Sequence, residues 1–140
     1  MFKLKTAASF DSAHFLKGYE GKCANIHGHR WTVEVTVKGD LQERGAKRGM
    51  VIDFKDLKDA VKGLADSFDH TLIYEKNTLS EGTAAALKGE GFSLTEVPFR
   101  PTAENFSKHF YNELCAGGFD VSSVAVFETP DNCAVYEGEK

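Results

Sequence analysis

The sequence predicts an α+β fold in the order β-β-α-α-β-β, a four-stranded antiparallel sheet covered on one face by two helices. Three observations predict it. Two N-terminal segments alternate apolar and polar residues with the period of a half-buried strand. Two later segments carry apolar residues at steps of three and four behind capping residues. Two short apolar runs, separated by a turn, close the chain.

In the first segment Phe2, Leu4, Thr6, Ala8, Phe10, Ser12 and His14 share one face, and Lys3, Lys5, Ser9 and Asp11 share the other. In the second, Trp31, Val33, Val35 and Val37 fall on the face of His27 and His29, while Arg30, Thr32, Glu34, Thr36 and Lys38 fall opposite. Paired as an antiparallel hairpin, the end of the first strand lies beside the start of the second, which brings His14 next to His27 and His29 on one face. Three neutral imidazoles meeting at a point suit zinc, and three protein ligands leave a position open for chemistry. The loop of residues 15–26, with Gly18 and Gly21, carries Cys23 over that point.

Residues 40–50 are polar and read as a surface loop. Asp53 is placed to cap a helix whose stripe is Phe54, Leu57, Val61, Leu64 and Phe68, with Asp69-His70 following its end. Residues 75–98 have no sustained period beyond a short helical turn at Ala84–Lys88, and a connection this long is usually functional or mobile. Thr102 caps the second helix, Glu104 complements its dipole, Phe106, Phe110 and Leu114 form its stripe, and Gly117-Gly118 stop it. Val121–Thr129 and Cys133–Glu137 read as the last strands, joined by Pro130-Asp131-Asn132. Glu128 lies in an otherwise apolar strand, where a carboxylate is costly unless paired. His109 reads as a solvated helix residue, and Cys115 and Cys133 as packing residues. So small a sheet leaves its edges open, which predicts oligomerisation through them.

The chain of 140 residues is expected to form one domain, residues 1–140. A formal charge of −4 and the lack of a basic cluster argue against nucleic acid as a partner. No apolar run approaches the ~20 residues of a membrane span and no signal-like start is present, so a cytoplasmic protein is expected. Three cysteines at irregular spacing make no disulfide framework, leaving Cys23 a free thiol.

The motifs F-D-S-A-H (10–14), K-C-A-N-I-H-G-H (22–29), V-I-D-F (51–54), D-H (69–70), P-T-A-E-N (101–105) and E-T-P-D-N-C-A-V-Y (128–136) together resemble the 6-pyruvoyl-tetrahydropterin synthase / 6-carboxytetrahydropterin synthase family. The spacing from Cys23 to His27-Gly28-His29 is similar to that of the bacterial 6-carboxytetrahydropterin synthases of queuosine biosynthesis. The resemblance implies the tunnelling fold, with sheets joined across subunits into a barrel, active sites between subunits, and a homohexamer built from two trimers. It implies Zn2+ on His14, His27 and His29, Cys23 as catalytic base, and Asp69 and His70 as an acid–base pair. Glu128 would anchor the pterin, and Glu104 and Thr102 would belong to a second substrate-side motif. The implied substrate is 7,8-dihydroneopterin triphosphate and the implied product 6-carboxy-5,6,7,8-tetrahydropterin. Lys22 and Arg100 are placed as candidates for the triphosphate. Two other readings stay open: the 6-pyruvoyl or another pterin product on the same fold, and a non-enzymatic assembly protein in which Cys23 is a fourth, structural zinc ligand.

Overall fold

In a computed structural model describing residues 1–139, the expected hairpin is the backbone of the molecule. Strand β1 (Phe2–His14) pairs with β2 (His27–Gly39) along its whole length, from Phe2 opposite Gly39 to His14 opposite His27. The register puts Phe10 opposite Trp31 and Ser12 opposite His29, so the face read from parity is the buried one. β2 then pairs antiparallel with β5 (Val121–Thr129), and β5 with β6 (Asn132–Tyr136).

Helix α1 (Phe54–Asp66) lies against β1, starting at Asp53, whose carboxylate accepts the Lys55 N–H at 2.8 Å. The stripe predicted for it begins one turn late. Phe54 is 57% exposed, because the first helical residue leaves the cap at the surface, and Leu57, Val61 and Ala65 do the burying.

The segment read as an irregular connection is ordered. β3 (Leu72–Glu75) leads into it, and it contains α2 (Glu81–Gly89), which includes the helical turn expected at Ala84–Lys88, and β4 (Leu94–Val97), parallel to β3. β3 joins β1 in parallel through Ala13 and His14. The sheet therefore has six strands of mixed direction, in the order β4-β3-β1-β2-β5-β6, rather than four antiparallel ones. With α3 (Ala103–Ala116), which packs on β5 and β6, the described residues form three α-helices rather than two. Strands of four residues are too short to show a period, and α2 buries no residue, so it has no stripe to read.

The core is aromatic where it supports the open end of the hairpin. Phe10 stacks near Trp31 at 6.0 Å between ring centroids, and Phe106 meets Trp31 edge-on at 5.0 Å. His109, expected to be solvated, is half-buried instead, among Phe68, Phe99 and Phe110. Burial lowers its pKa from the usual 6.5, against a weaker opposing pull from Glu113. Between that lowered value and 6.5 the unfolded chain holds the extra proton, so stability falls as pH drops through this window. His109→Gln is expected to make the fall shallower in denaturant titrations run between about pH 7.5 and 5.5, the range in which an ordinary imidazole titrates. Cys115 and Cys133, expected to pack, are exposed. Among the described residues no helix is long and apolar enough to cross a membrane.

Candidate metal centre

The hairpin's open end brings three imidazoles together. The ring centroids of His14 and His27 are 4.5 Å apart, those of His27 and His29 4.9 Å, and those of His14 and His29 5.3 Å. Trp31 forms the floor, edge-on to His14 at 4.9 Å and to His29 at 5.4 Å. Two of the rings are oriented from behind by backbone carbonyls: Nδ1 of His14 lies 2.7 Å from Pro101 O, and Nδ1 of His27 lies 2.7 Å from Asn25 O. Each carbonyl selects the tautomer with the proton on Nδ1 and leaves Nε2 as a lone pair. All three Nε2 atoms are buried with no aligned hydrogen-bond partner. Burial is the main force lowering the pKa of His14, and likewise that of His29; for His14 the Pro101 hydrogen bond, and for His29 the Glu128 charge, is the chief opposing force. The neutral form so favoured is the one that binds metal.

A fourth group completes the cluster. Oε1 of Glu128 is 3.0 Å from Nε2 of His29 and 3.4 Å from Nε2 of His14. The four residues can each offer a ligand atom with all such atoms within 4.8 Å of one another. Glu128 continues the buried face of Val124 and Val126, and the β5–β6 register shifts at it, between Phe127 and Thr129, which face Cys133 and Asn132. Glu128 is the extra residue of a β-bulge, a device that re-aims a side chain at a strand end. Orphaned buried nitrogens, neutral rings and one carboxylate fit a divalent cation of the zinc type.

Asp69 and His70 form a second unit. His70 has φ 57°, the left-handed turn that lets adjacent side chains meet, and its Nδ1 is 2.8 Å from Asp69 Oδ2. The unit is clamped to β1 at Asp11, whose N–H donates to Asp69 Oδ1 at 2.8 Å and whose C=O accepts from the His70 N–H at 2.6 Å. The Asp11 N–H is the largest cause of the lowered Asp69 pKa, followed by the His70 bond. His70 is itself exposed and lines a groove of about 390 Å³ with Ile26, Leu87 and Phe92. Cys23 is half-buried in a single 3-10 turn, Lys22–Ala24, whose carbonyl at Cys23 accepts from the Leu16 N–H at 2.8 Å. Neither Cys23 nor the Asp69–His70 unit is part of the four-residue donor group; the fourth member is Glu128.

Residues 3–139 match the family described as 6-pyruvoyl tetrahydropterin synthase. The chain belongs to this family. It is 42% identical over 140 residues to the 6-carboxy-5,6,7,8-tetrahydropterin synthase of Haemophilus influenzae, covering 98% of this chain and 99% of that one. It is 34% identical over 141 residues to the protein of the same name from Rickettsia bellii, covering 96% and 99%. Among solved structures, an uncharacterized protein of Wolinella succinogenes superposes with TM-score 0.76 at 22% identity over 99% of this chain and 98% of that one, a likeness of fold.

The remaining residues that the pterin-synthase resemblance singled out fall in two places. Glu104 and Glu128 line one cleft of about 370 Å³ with Asn132, Cys133 and Ala134. Thr102 caps α3, accepting the Asn105 N–H at 3.2 Å, so it shapes the helix start that presents Glu104. Lys22 is exposed beside Cys23, whereas Arg100 spends a guanidinium N–H on Lys17 O at 3.2 Å, tying down the loop that carries Cys23. The carbonyls of Pro101 and Asn25 were missed from sequence, since a backbone acceptor leaves no mark in residue type. The buried Trp31 beneath the rings lies on the face of His27 and His29, where the parity of the strand puts it.

Proposed function

We propose that this chain is a zinc-dependent lyase that converts 7,8-dihydroneopterin triphosphate to 6-carboxy-5,6,7,8-tetrahydropterin, releasing acetaldehyde and triphosphate, on the cytoplasmic route to queuosine. The observation that carries the reading is the convergence of three unpartnered Nε2 atoms on Glu128, in a chain 42% identical to a protein bearing that name. A metal held by His14, His27 and His29 would polarise side-chain oxygens of the substrate and acidify the neighbouring C–H. Cys23, half-buried in its 3-10 turn on the loop that closes the hairpin, removes that proton. His70, its Nδ1 held by Asp69, presents Nε2 for proton exchange with the side-chain hydroxyls. Glu128 accepts the two parallel N–H donors of the pterin edge, with Glu104 on the same cleft wall.

Assembly follows from the sheet. β6 ends one side of it, and β1 is paired on its outer side by β3 only at Ala13 and His14, leaving its earlier residues open apart from the Asp11 clamp and the Lys58 ammonium on Ala7 O. We place β6 of one copy against this edge of β1 in the next, closing a ring of three, two rings making a hexamer, with each active site completed between copies.

Zinc-loaded protein incubated with dihydroneopterin triphosphate is expected to give the 6-carboxy product by mass analysis together with acetaldehyde. A 6-pyruvoyl product without acetaldehyde would overturn the assignment.

A further inference from the structure

We propose that Glu128 has two partners in turn: it closes the metal's remaining position while the ring site is empty, and releases it to the N–H edge of the incoming ring. The proposal rests on the metal-dependent reading above and adds a gate to it.

The position and surroundings of Glu128 support this. Its carboxylate sits 3.0 and 3.4 Å from the ligand nitrogens of His29 and His14, inside the group of potential donors rather than beside it. Its ion contacts among the described residues are with these two imidazoles alone, with no Lys or Arg paired to it. A one-third-exposed carboxylate held against the Nε2 atoms of two imidazoles, neither otherwise hydrogen-bonded, has no fixed positive charge beside it unless a cation lies among them. The β-bulge frees the residue from the ladder on both sides, so the side chain can turn without breaking strand pairs. Finally, Glu128 also lines the cleft shared with Glu104, so both destinations are within reach of one side chain.

The energetics favour an exchange. A carboxylate leaving a cation for two charge-assisted hydrogen bonds trades one strong electrostatic partner for another. Such a near-balanced pair of states is moved by a ligand that binds one of them. The metal's position would open only once the ring is seated, so binding and activation are linked.

The test needs no turnover. Zinc affinity by chelator competition, and the visible spectrum of the cobalt-substituted protein, are measured with and without pterin itself, the bare bicycle lacking a side chain to refill the metal. In the wild-type protein, saturating pterin is expected to weaken metal affinity by about tenfold, and metal to weaken pterin by the same factor, as linkage requires. It should also shift the cobalt spectrum. Glu128→Gln is expected to weaken metal affinity by roughly tenfold or more, the scale of losing a supporting group at such sites. It should show the shifted spectrum without pterin and lose the coupling. Glu128→Asp keeps the charge but shortens the reach, and is expected to lose the coupling too. Independence of metal and pterin binding in the wild-type protein would overturn the gate and leave the anchoring role intact. A wild-type protein that binds no zinc or cobalt would instead overturn the underlying metal-dependent reading.

Discussion

Cys23→Ala is expected to keep its full complement of zinc and to lose turnover by roughly 10²- to 10⁴-fold, the contribution of a positioned general base. The loop around Cys23 is tied through its carbonyl to the Leu16 N–H and through Arg100 to Lys17 O, so the substitution removes the thiol without releasing the turn. Zinc content by atomic emission, thermal unfolding and initial rates on dihydroneopterin triphosphate separate the possibilities. A structural thiolate ligand would show itself as lost zinc and a lowered Tm. Full activity in the metal-loaded variant would remove Cys23 from the chemistry.

His14→Ala should be the most damaging change at the metal centre. His14 is 1% exposed, packs edge-on to Trp31, and bonds Pro101 O, so its loss opens a cavity and strands a carbonyl at the same time. The expected destabilisation is about 3 kcal/mol, in the range for large-to-small core changes, with bound zinc near zero after dialysis. Denaturant melts and metal analysis measure both. The pH dependence of metal binding in the unaltered protein has a definite sign. His14 and His29 take protons only below the usual 6.5, so protons compete weakly and affinity should persist to lower pH than an ordinary imidazole site allows.

How much of this was legible in the sequence depends on how far apart the interacting residues lie. The hairpin could be read because alternation along Phe2–His14 and His27–Lys38 fixes face and register together, and a one-residue slip would have buried Lys3, Arg30 and Glu34. The caps at Asp53 and Thr102 were equally local, and both accept the expected N–H. Of the β3-α2-β4 unit only the helical turn at Ala84–Lys88, inside α2, was readable. Its strands are short, they pair with partners distant in sequence, and α2 is held at Ser80 by a cap to Thr83 N without a buried stripe behind it. The face of Glu128 follows from the parity of Val124 and Val126, but the register shift at it, which leaves it out of the β5–β6 ladder, is invisible until both strands are aligned. His109 was misjudged for a similar reason: the rings around it come from Phe68, Phe99 and its own neighbour Phe110, so its burial is a tertiary fact.

The register that sets His14 opposite His27 also turns residues 15–26 into a closed loop whenever one ion grips both rings. On the proposed reading the metal is then a cross-link as well as a reagent, acting on the disordered chain much as a disulfide would, where closing a loop of ~15 residues removes about 3 kcal/mol of chain entropy. Cys23, the proposed base, rides on that loop. On that reading a chain without zinc lacks this cross-link, and the loop is held by its own hydrogen bonds, among them Leu16 N–H to Cys23 O and Arg100 to Lys17 O.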